Sequence, residues 1–175
     1  MSKKQPLLFA AMELYINGGT NIVGLVDATL PPIEARTESI EGAGIGGEVE
    51  VPVKGQYSSM GLTLNFRAIY DPAVLALPVA GDSVRFDLRT ALETQNVTDG
   101  TRGVSSERVS ITGPIKTINP GTRKGGSAGD ASIEASVYHF IHFIDGRNVR
   151  EIGAFTGVDT VNGVDQRAGI RAAIS

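Results

Sequence analysis

The sequence predicts a mainly β protein: an antiparallel β-sandwich or barrel with one short flanking helix and long hairpins. Segments in which apolar and polar residues alternate recur along the 175 residues, and a period of two is typical of half-buried strands. Many of the 22 glycines fall in turns between these segments. We see no internal repeat or linker, and therefore expect one domain spanning residues 1–175.

The composition argues against several functional classes. The chain has no cysteine, which excludes disulfides, thiol catalysis and cysteine-based zinc sites. The formal net charge is only -3 and no dense lysine or arginine run is present, so an electrostatic nucleic-acid binder is not indicated. No apolar run approaches the ~20 residues that a membrane helix needs, and we expect no membrane partner.

The first third of the chain predicts an arm followed by strands. Residues 1–11 are interpreted as a short polar arm, because Glu13 follows the apolar run too soon for a signal peptide. Met12–Ile16 is a short strand that ends at a glycine turn, and Ile22–Leu30 is extended up to a double proline. Tyr57–Ala68 is the clearest half-buried strand.

The best helix candidate is Asp71–Leu77. Asp71 suits the N-cap, Pro72 suits the first helical position, and Pro78 limits the helix to about two turns. An irregular apolar loop is the alternative. Residues 166–174 allow a further turn or two of helix.

The second half predicts more strands separated by two polar loops. Residues 93–106 are interpreted as a loop or hairpin tip, and Asn119–Asp130 as a mobile loop. The longest strand, Ala131–Ile144, becomes apolar on both faces and should lie deep in the sheet. The strands of this half are Ser83–Leu92, Glu107–Ile118, Ala131–Ile144 and Arg147–Ile152.

The stretch Ile33–Lys54 predicts a long hairpin with a glycine pivot. Each half alternates, which suggests one small or apolar face and one charged face. A two-stranded hairpin buries too little to be stable alone, so it needs a sheet or a neighbouring chain. The charged face consists of Glu34, Arg36, Glu38, Glu48 and Glu50. The pivot glycines are Gly42, Gly44, Gly46 and Gly47.

No residue pattern indicates catalysis, a metal or a cofactor. Gly42–Gly47 fits G-x-G-x-x-G, but a dinucleotide site needs a helix after the motif and a strand pattern follows here. His139 and His142 point to opposite faces of a strand and cannot share a metal without distortion. The sequence leaves open two carboxylates at glycosidase separation, although turn capping is the expected role of Asp27, Asp87, Asp145, Asp159 and Asp165.

Three stretches, in this order and spacing, resemble the major tail tube proteins of contractile-tailed phages and R-type pyocins. They are Leu14–Gly18, Leu30–Glu38 with Gly42–Gly44 after it, and Val161–Gln166 with Ala168–Arg171 after it. The resemblance covers essentially the whole chain. It is poor over Val84–Lys124, and the last four residues differ from the usual ending of the family.

This resemblance implies a subunit that forms sixfold rings, which stack into a hollow tube inside a contractile sheath. Each β-sandwich would carry a short helix and contribute hairpins to an inter-subunit β-barrel lining the channel. The implied partners are other copies, the sheath protein, baseplate and tail-terminator proteins, and a tape-measure protein or DNA in the lumen. The implied location is the tail of a virion or phage-tail-like particle, after synthesis in the bacterial cytoplasm.

Two further hypotheses and three alternatives follow. The five charged hairpin residues, four carboxylates and one guanidinium, would face the lumen and give -3 per subunit. The loops 93–106 and 119–130 would form ring-to-ring or sheath contacts. A type VI secretion tube protein is the nearest alternative. A monomeric binding module is disfavoured by an aromatic content of 6% without tryptophan, and an enzyme by the missing motifs.

Overall fold

Strands dominate the computed structural model, which describes residues 4–19, 23–42, 44, 46–69 and 74–174. One helix, α1, covers Ala168–Ile174. The strands are β1 (Lys4–Ile16), β2 (Gly24–Thr29), β3 (Ala35–Ile40), β4 (Val49–Tyr57), β5 (Gly61–Ile69), β6 (Val84–Asn96), β7 (Arg102–Gly113), β8 (Ile115–Asn119), β9 (Ala131–Ser136), β10 (His139–Ile144), β11 (Arg147–Gly153), β12 (Asp159–Val161) and β13 (Val164–Asp165).

Two antiparallel sheets pack face to face around one apolar core. The large sheet has the order β1-β6-β7-β10-β11-β12-β13, and the small sheet has the order β2-β5-β9-β8. Phe86 and Ile111 from the large sheet and Leu64 and Ile133 from the small sheet belong to a single buried cluster. The predicted mainly β, antiparallel fold is therefore confirmed, since alternating residues from both sheets meet in the core.

A shared corner joins the two sheets. The predicted strand Glu107–Ile118 is in fact the end of β7 followed by β8, and the predicted strand Ala131–Ile144 is β9 followed by β10. The chain changes sheets at Pro114, whose carbonyl accepts a hydrogen bond from the Ser136 amide at 2.9 Å. The apolar pattern continues through the corner on both strands. Alternation alone therefore does not reveal where one strand ends and the next begins.

The structure corrects one further expectation and decides between the two alternatives of another. The expected polar arm is wrong, because residues 4–11 belong to β1 and pair with the far half of β6. Residues 93–106 were expected to be a loop or a hairpin tip, and the hairpin tip is confirmed, since β6 and β7 pair out to Gln95 and Arg102 around a short turn. Pairing with a neighbouring strand makes both segments strand, although neither shows a regular alternation of apolar and polar residues.

Helix is found at the chain end, where the sequence allowed a short one. Asp71 and Pro72 of the best helix candidate lie outside the described residues, and residues 74–77 form turns. Before α1, the Asp165 carboxylate accepts a hydrogen bond from the Arg167 amide at 2.8 Å, which forms an Asx turn that leads into the helix. No helix in the described ranges is long and apolar enough to cross a bilayer.

The corner generates a prediction for Gly113. A Cβ built on this glycine would overlap the backbone carbonyl of Ser136, and a backbone group in a paired strand has little room to move. We expect Gly113→Ala to lower the free energy of unfolding by about 3 kcal/mol in urea denaturation. The control is Gly125→Ala, where nothing lies within 4 Å. Equal stability of the two variants would contradict this account of the corner.

Candidate functional site

The hairpin of β3 and β4, called the ribbon below (residues 35–40 and 49–57), is a two-stranded sheet of its own. Every residue of β3 is exposed, and β4 is exposed or half-buried along its length. Within the described residues, the outer backbone edges of both strands are unpaired. The predicted hairpin is thus present, and it lacks the third strand or packed face that would make it stable independently.

The ribbon register divides the predicted charged face between two faces. Ser39 lies opposite Glu50, whereas Glu38 lies opposite Val51. Residues paired across an antiparallel ladder share a face. Glu50 therefore lies on a different face from Glu38, and the expectation of one charged face is wrong. Each strand alternates as predicted, but alternation does not give the pairing register between the two strands. A shift of one residue in register moves every side chain of a strand to the other face.

The two faces differ in chemistry. The first, called the carboxylate face, consists of Thr37, Ser39, Glu48 and Glu50. Ser39 donates a hydrogen bond to Glu48 at 2.5 Å. In the described part of the chain, neither Glu48 nor Glu50 forms an ion pair, so the negative charge of this face is uncompensated.

The second face, called the valine face, consists of Arg36, Glu38, Ile40, Val49 and Val51. Arg36 and Glu38 form an exposed ion pair at 2.5 Å. Ile40, Val49 and Val51 are 46%, 48% and 39% exposed. An apolar stripe of this kind, beside a charged pair, is typical of a surface that another protein covers.

The predicted glycine pivot connects the two ribbon strands. Residues 43 and 45 within it lie outside the described residues. Gly44 has φ of 100°, a conformation that favours glycine, and a Cβ at Gly44, Gly46 or Gly47 would meet nothing within 4 Å. Gly42 joins the tip to β3, and a Cβ there would likewise meet nothing within 4 Å. The motif is followed by strand β4, so the helix that a phosphate site requires does not follow it.

The root of the ribbon is fixed by a polar cluster at Tyr57. Its hydroxyl donates a hydrogen bond to Asp159 at 2.7 Å and accepts one from Arg150 at 2.5 Å. Asp159 is 2% exposed, although it lies on the short strand β12. Burial, and then the hydrogen bond to Asp159, raise the pKa of Tyr57 above 10.0. The ribbon is therefore attached to the large sheet by hydrogen bonds that join half-buried Tyr57 to Arg150 and to the buried Asp159.

An apolar groove lies where the large sheet extends beyond the small one. It has a volume of about 710 Å³, and no ribbon residue lines it. Phe9 is 65% exposed at its edge, and Leu88 and Val109 form its buried floor. Arg67 and Asp27, an exposed ion pair at 3.0 Å, also line it. No sequence pattern indicates this groove, because residues 4–11, which border it, do not alternate between apolar and polar.

The histidines are structural neighbours of carboxylates. His139 contacts Glu151 at 3.1 Å, and His142 contacts Glu107 at 2.6 Å, on opposite sides of β10. Among the described residues, no three or more histidine or carboxylate side chains gather at metal-binding distance.

Turn capping is confirmed for some of the five aspartates and wrong for others. Asp145 and Asp165 accept hydrogen bonds from backbone amides beside turns, and Asp27 is in an exposed ion pair. Asp87 and Asp159 are instead buried, each 2% exposed and each beside arginine. Both lie on strands where arginines from neighbouring strands face them, a spatial relation that single-strand patterns do not contain.

Asp87 is the most densely bonded of these carboxylates. It accepts hydrogen bonds from Ser110 and from Arg108, the latter at 2.9 Å, and Arg85 lies 3.2 Å away. Burial alone would raise the pKa of Asp87. The hydrogen bonds from Ser110 and Arg108 and the charges of the two arginines outweigh burial and hold this pKa below 3.8.

The first prediction from this site concerns the ribbon root. Tyr57→Phe removes two hydrogen bonds and leaves Asp159 buried with one donor fewer. We expect a loss of about 1–3 kcal/mol in the free energy of unfolding, measured by urea denaturation. Tyr138→Phe is the matched control, because the Tyr138 hydroxyl has no hydrogen-bond partner among the described residues and this ring is also half-buried. An unchanged Tyr57→Phe variant would mean that the cluster does not stabilise the fold.

The second prediction concerns pH and Asp87. Because its pKa is lower in the folded state, its stabilising effect is complete above the unfolded pKa of about 3.8 and is lost as the pH falls through the folded pKa. We expect Asp87→Asn to cost about 1–3 kcal/mol at pH 7, and the difference from wild type to shrink as the pH falls below 3.8 and through the folded pKa.

Urea denaturation at pH 7 and again at a pH below 3.8 measures the difference in unfolding free energy between Asp87→Asn and wild type. Asp27→Asn is the control, and removing its exposed ion pair should change stability by less than about 1 kcal/mol. A difference between Asp87→Asn and wild type that persists unchanged at low pH would contradict the ionic role of Asp87.

Comparison of the sequence with known proteins shows the family of this chain. The family model described as phage tail tube protein FII matches residues 8–174. The tail tube protein of Escherichia phage P2 is 24% identical over 161 residues, which are 92% of this chain and 92% of that protein. These matches confirm the resemblance to contractile-tail tube proteins noted in the sequence. The chain belongs to the phage tail tube family, whose members are structural proteins of the bacteriophage tail.

Proposed function

We propose that this protein polymerises as stacked hexameric rings and forms the inner tube of a contractile phage tail or a related particle. The observation that carries this proposal is the ribbon, which exposes both faces and both outer backbone edges in a chain of this family. A tube of this kind is a channel for a genome or, in a particle without DNA, for ions. The role is structural and involves no catalysis, metal or cofactor.

Ring closure gives a physical reason for an incomplete hairpin. The unpaired N–H and C=O groups of an edge strand are available for pairing with another chain. A head-to-tail contact that repeats around an axis closes into a ring, and a closed barrel has no edges. In the proposed tube, the ribbon of each subunit joins an inter-subunit β-barrel, and stacking of the rings extends the channel.

The carboxylate face is the better candidate for the channel wall. Glu48 and Glu50 have no cationic partner among the described residues, whereas Arg36 neutralises Glu38 on the valine face. Glu34 precedes β3 and is exposed. Lumen-facing carboxylates would repel DNA phosphates within roughly 8–10 Å, which makes a non-adhesive lining. Of the five residues that the sequence predicted to face the lumen, Glu48 and Glu50 are the two that remain, because they share the carboxylate face.

Other tail components complete the proposed assembly. The outer surface of the tube would contact the sheath protein, its ends would contact baseplate and tail-terminator proteins, and a tape-measure protein or DNA would occupy the lumen. Synthesis and assembly would take place in the bacterial cytoplasm before the protein resides in the tail. The 93–106 segment, now known to be a hairpin end, and the loop 119–130 are the proposed contacts between rings or with the sheath.

The prediction that tests this function uses electron microscopy. Negative staining of the purified protein should show rings or tubes with a central hole. Gly44→Val should reduce assembly strongly, because a β-branched residue at φ of 100° adds a strain of about 1–3 kcal/mol in every subunit. The denaturation midpoint of the sandwich should change little, because Gly44 lies at the tip of a separate two-stranded sheet, makes no contact with the core and can relax in a free subunit that no neighbour holds in place.

Gly125→Val is the control for this experiment, because Gly125 is also open to solvent and needs no positive φ. It should assemble as wild type does. A wild-type protein that stays monomeric at high concentration would refute the tube.

A further inference from the structure

We propose that the valine face of the ribbon of one copy seats in the apolar groove of a second copy of this chain. This inference rests on the proposed self-assembly and deepens it by naming the two surfaces that meet. The partner is a second copy because the same chain supplies both an apolar projection and an apolar recess. Neither surface covers the other within one subunit, since no ribbon residue lines the groove.

The two surfaces are a projection and a recess, and both are largely apolar. The valine face presents Ile40, Val49 and Val51 on a narrow two-stranded projection, and each is more than one-third exposed. The groove offers an open volume of about 710 Å³ above the buried side chains of Leu88 and Val109. Seating removes both apolar surfaces from water at once, which is the main driving force for association.

Charge complementarity adds selectivity. The valine face carries the exposed ion pair Arg36–Glu38, and the groove carries the exposed ion pair Asp27–Arg67. Each pair alone contributes little in water. When the ribbon seats with Arg36 toward Asp27 and Glu38 toward Arg67, the two pairs form one network of alternating charge. The opposite orientation places like charges together, so this network fixes the direction of insertion.

The contact is heterologous, because a ribbon meets a groove and not another ribbon. Each subunit then inserts its ribbon into the groove of one neighbour and receives the ribbon of another neighbour in its own groove. Such contacts either close into a ring or continue as a filament. The hexameric ring of the proposed function is the closed case, in which every groove is occupied.

Cysteine cross-linking tests the contact directly, because the chain has no cysteine of its own. Cysteine replaces one residue at a time at two positions on β1 and two on β4. On each strand, one position lies on the proposed contact and its neighbour lies on the opposite face. Phe9 lies opposite Leu92 and lines the groove, while its neighbour Leu8 lies opposite Glu93 and points to the other side of β1. Val51 is on the valine face, and its neighbour Glu50 is on the carboxylate face.

Single-cysteine variants at these four positions are mixed in β1–β4 pairs and oxidised under assembly conditions. The mixture of Phe9→Cys with Val51→Cys should give about tenfold more cross-linked dimer than any mixture containing Leu8→Cys or Glu50→Cys, since a disulfide needs close and correctly directed Cβ atoms. The double variant Phe9→Cys/Val51→Cys should give a covalent ladder that ends at a closed hexamer.

Electron microscopy of the wild type separates failure of the contact from failure of the tube. Rings without preferential Phe9–Val51 cross-linking would overturn the docking and leave the proposed function intact. A monomeric wild type would overturn both. Circular dichroism verifies folding of each variant, and Leu30→Cys, also on the groove, replaces Phe9→Cys if the latter does not fold.

Discussion

The corner between the two sheets is the constraint on which the rest of the subunit depends. Two paired segments cross from the large sheet to the small one at the same level, and the backbones meet so closely at Gly113 that a side chain there would strike Ser136. The corner holds the two sheets together along one side of the apolar core that both of them line. The strands of the small sheet begin near this corner and are shorter than β1, β6 and β7 of the large sheet. The large sheet therefore extends beyond the small sheet at one end.

That unequal extent creates the surfaces available for assembly. The uncovered inner side of β1, β6 and β7 becomes a groove, and the exposed half of β1 borders it. The ribbon starts elsewhere, next to β11 and β12, where Tyr57 joins Arg150 and Asp159. A projection and a recess therefore lie on different parts of one subunit. This separation is what a head-to-tail contact between identical subunits requires.

Local patterns predicted the strands, whereas spatial relations between strands had to come from the structure. Alternation located the ribbon, and the turn glycines located its tip. Alternation did not give the ribbon register, so Glu48 and Glu50 were wrongly grouped with Glu38. Residues 4–11 lack a pattern of their own and become strand only by pairing with β6. Turn capping was the wrong role for Asp87, because Arg108, which donates a hydrogen bond to it from the neighbouring strand, is 21 residues away in sequence.

The attachment of the ribbon has a mechanical consequence. From Tyr57 to the far end of β4 the ribbon is a lever roughly 25 Å long, held at one end. A rotation of about 5° at the root would move the tip by about 2 Å. Hydrogen bonds between strands tolerate only a few tenths of an ångström. The angular stiffness supplied by one tyrosine, one arginine and one aspartate thus limits how accurately a distant edge can meet its neighbour.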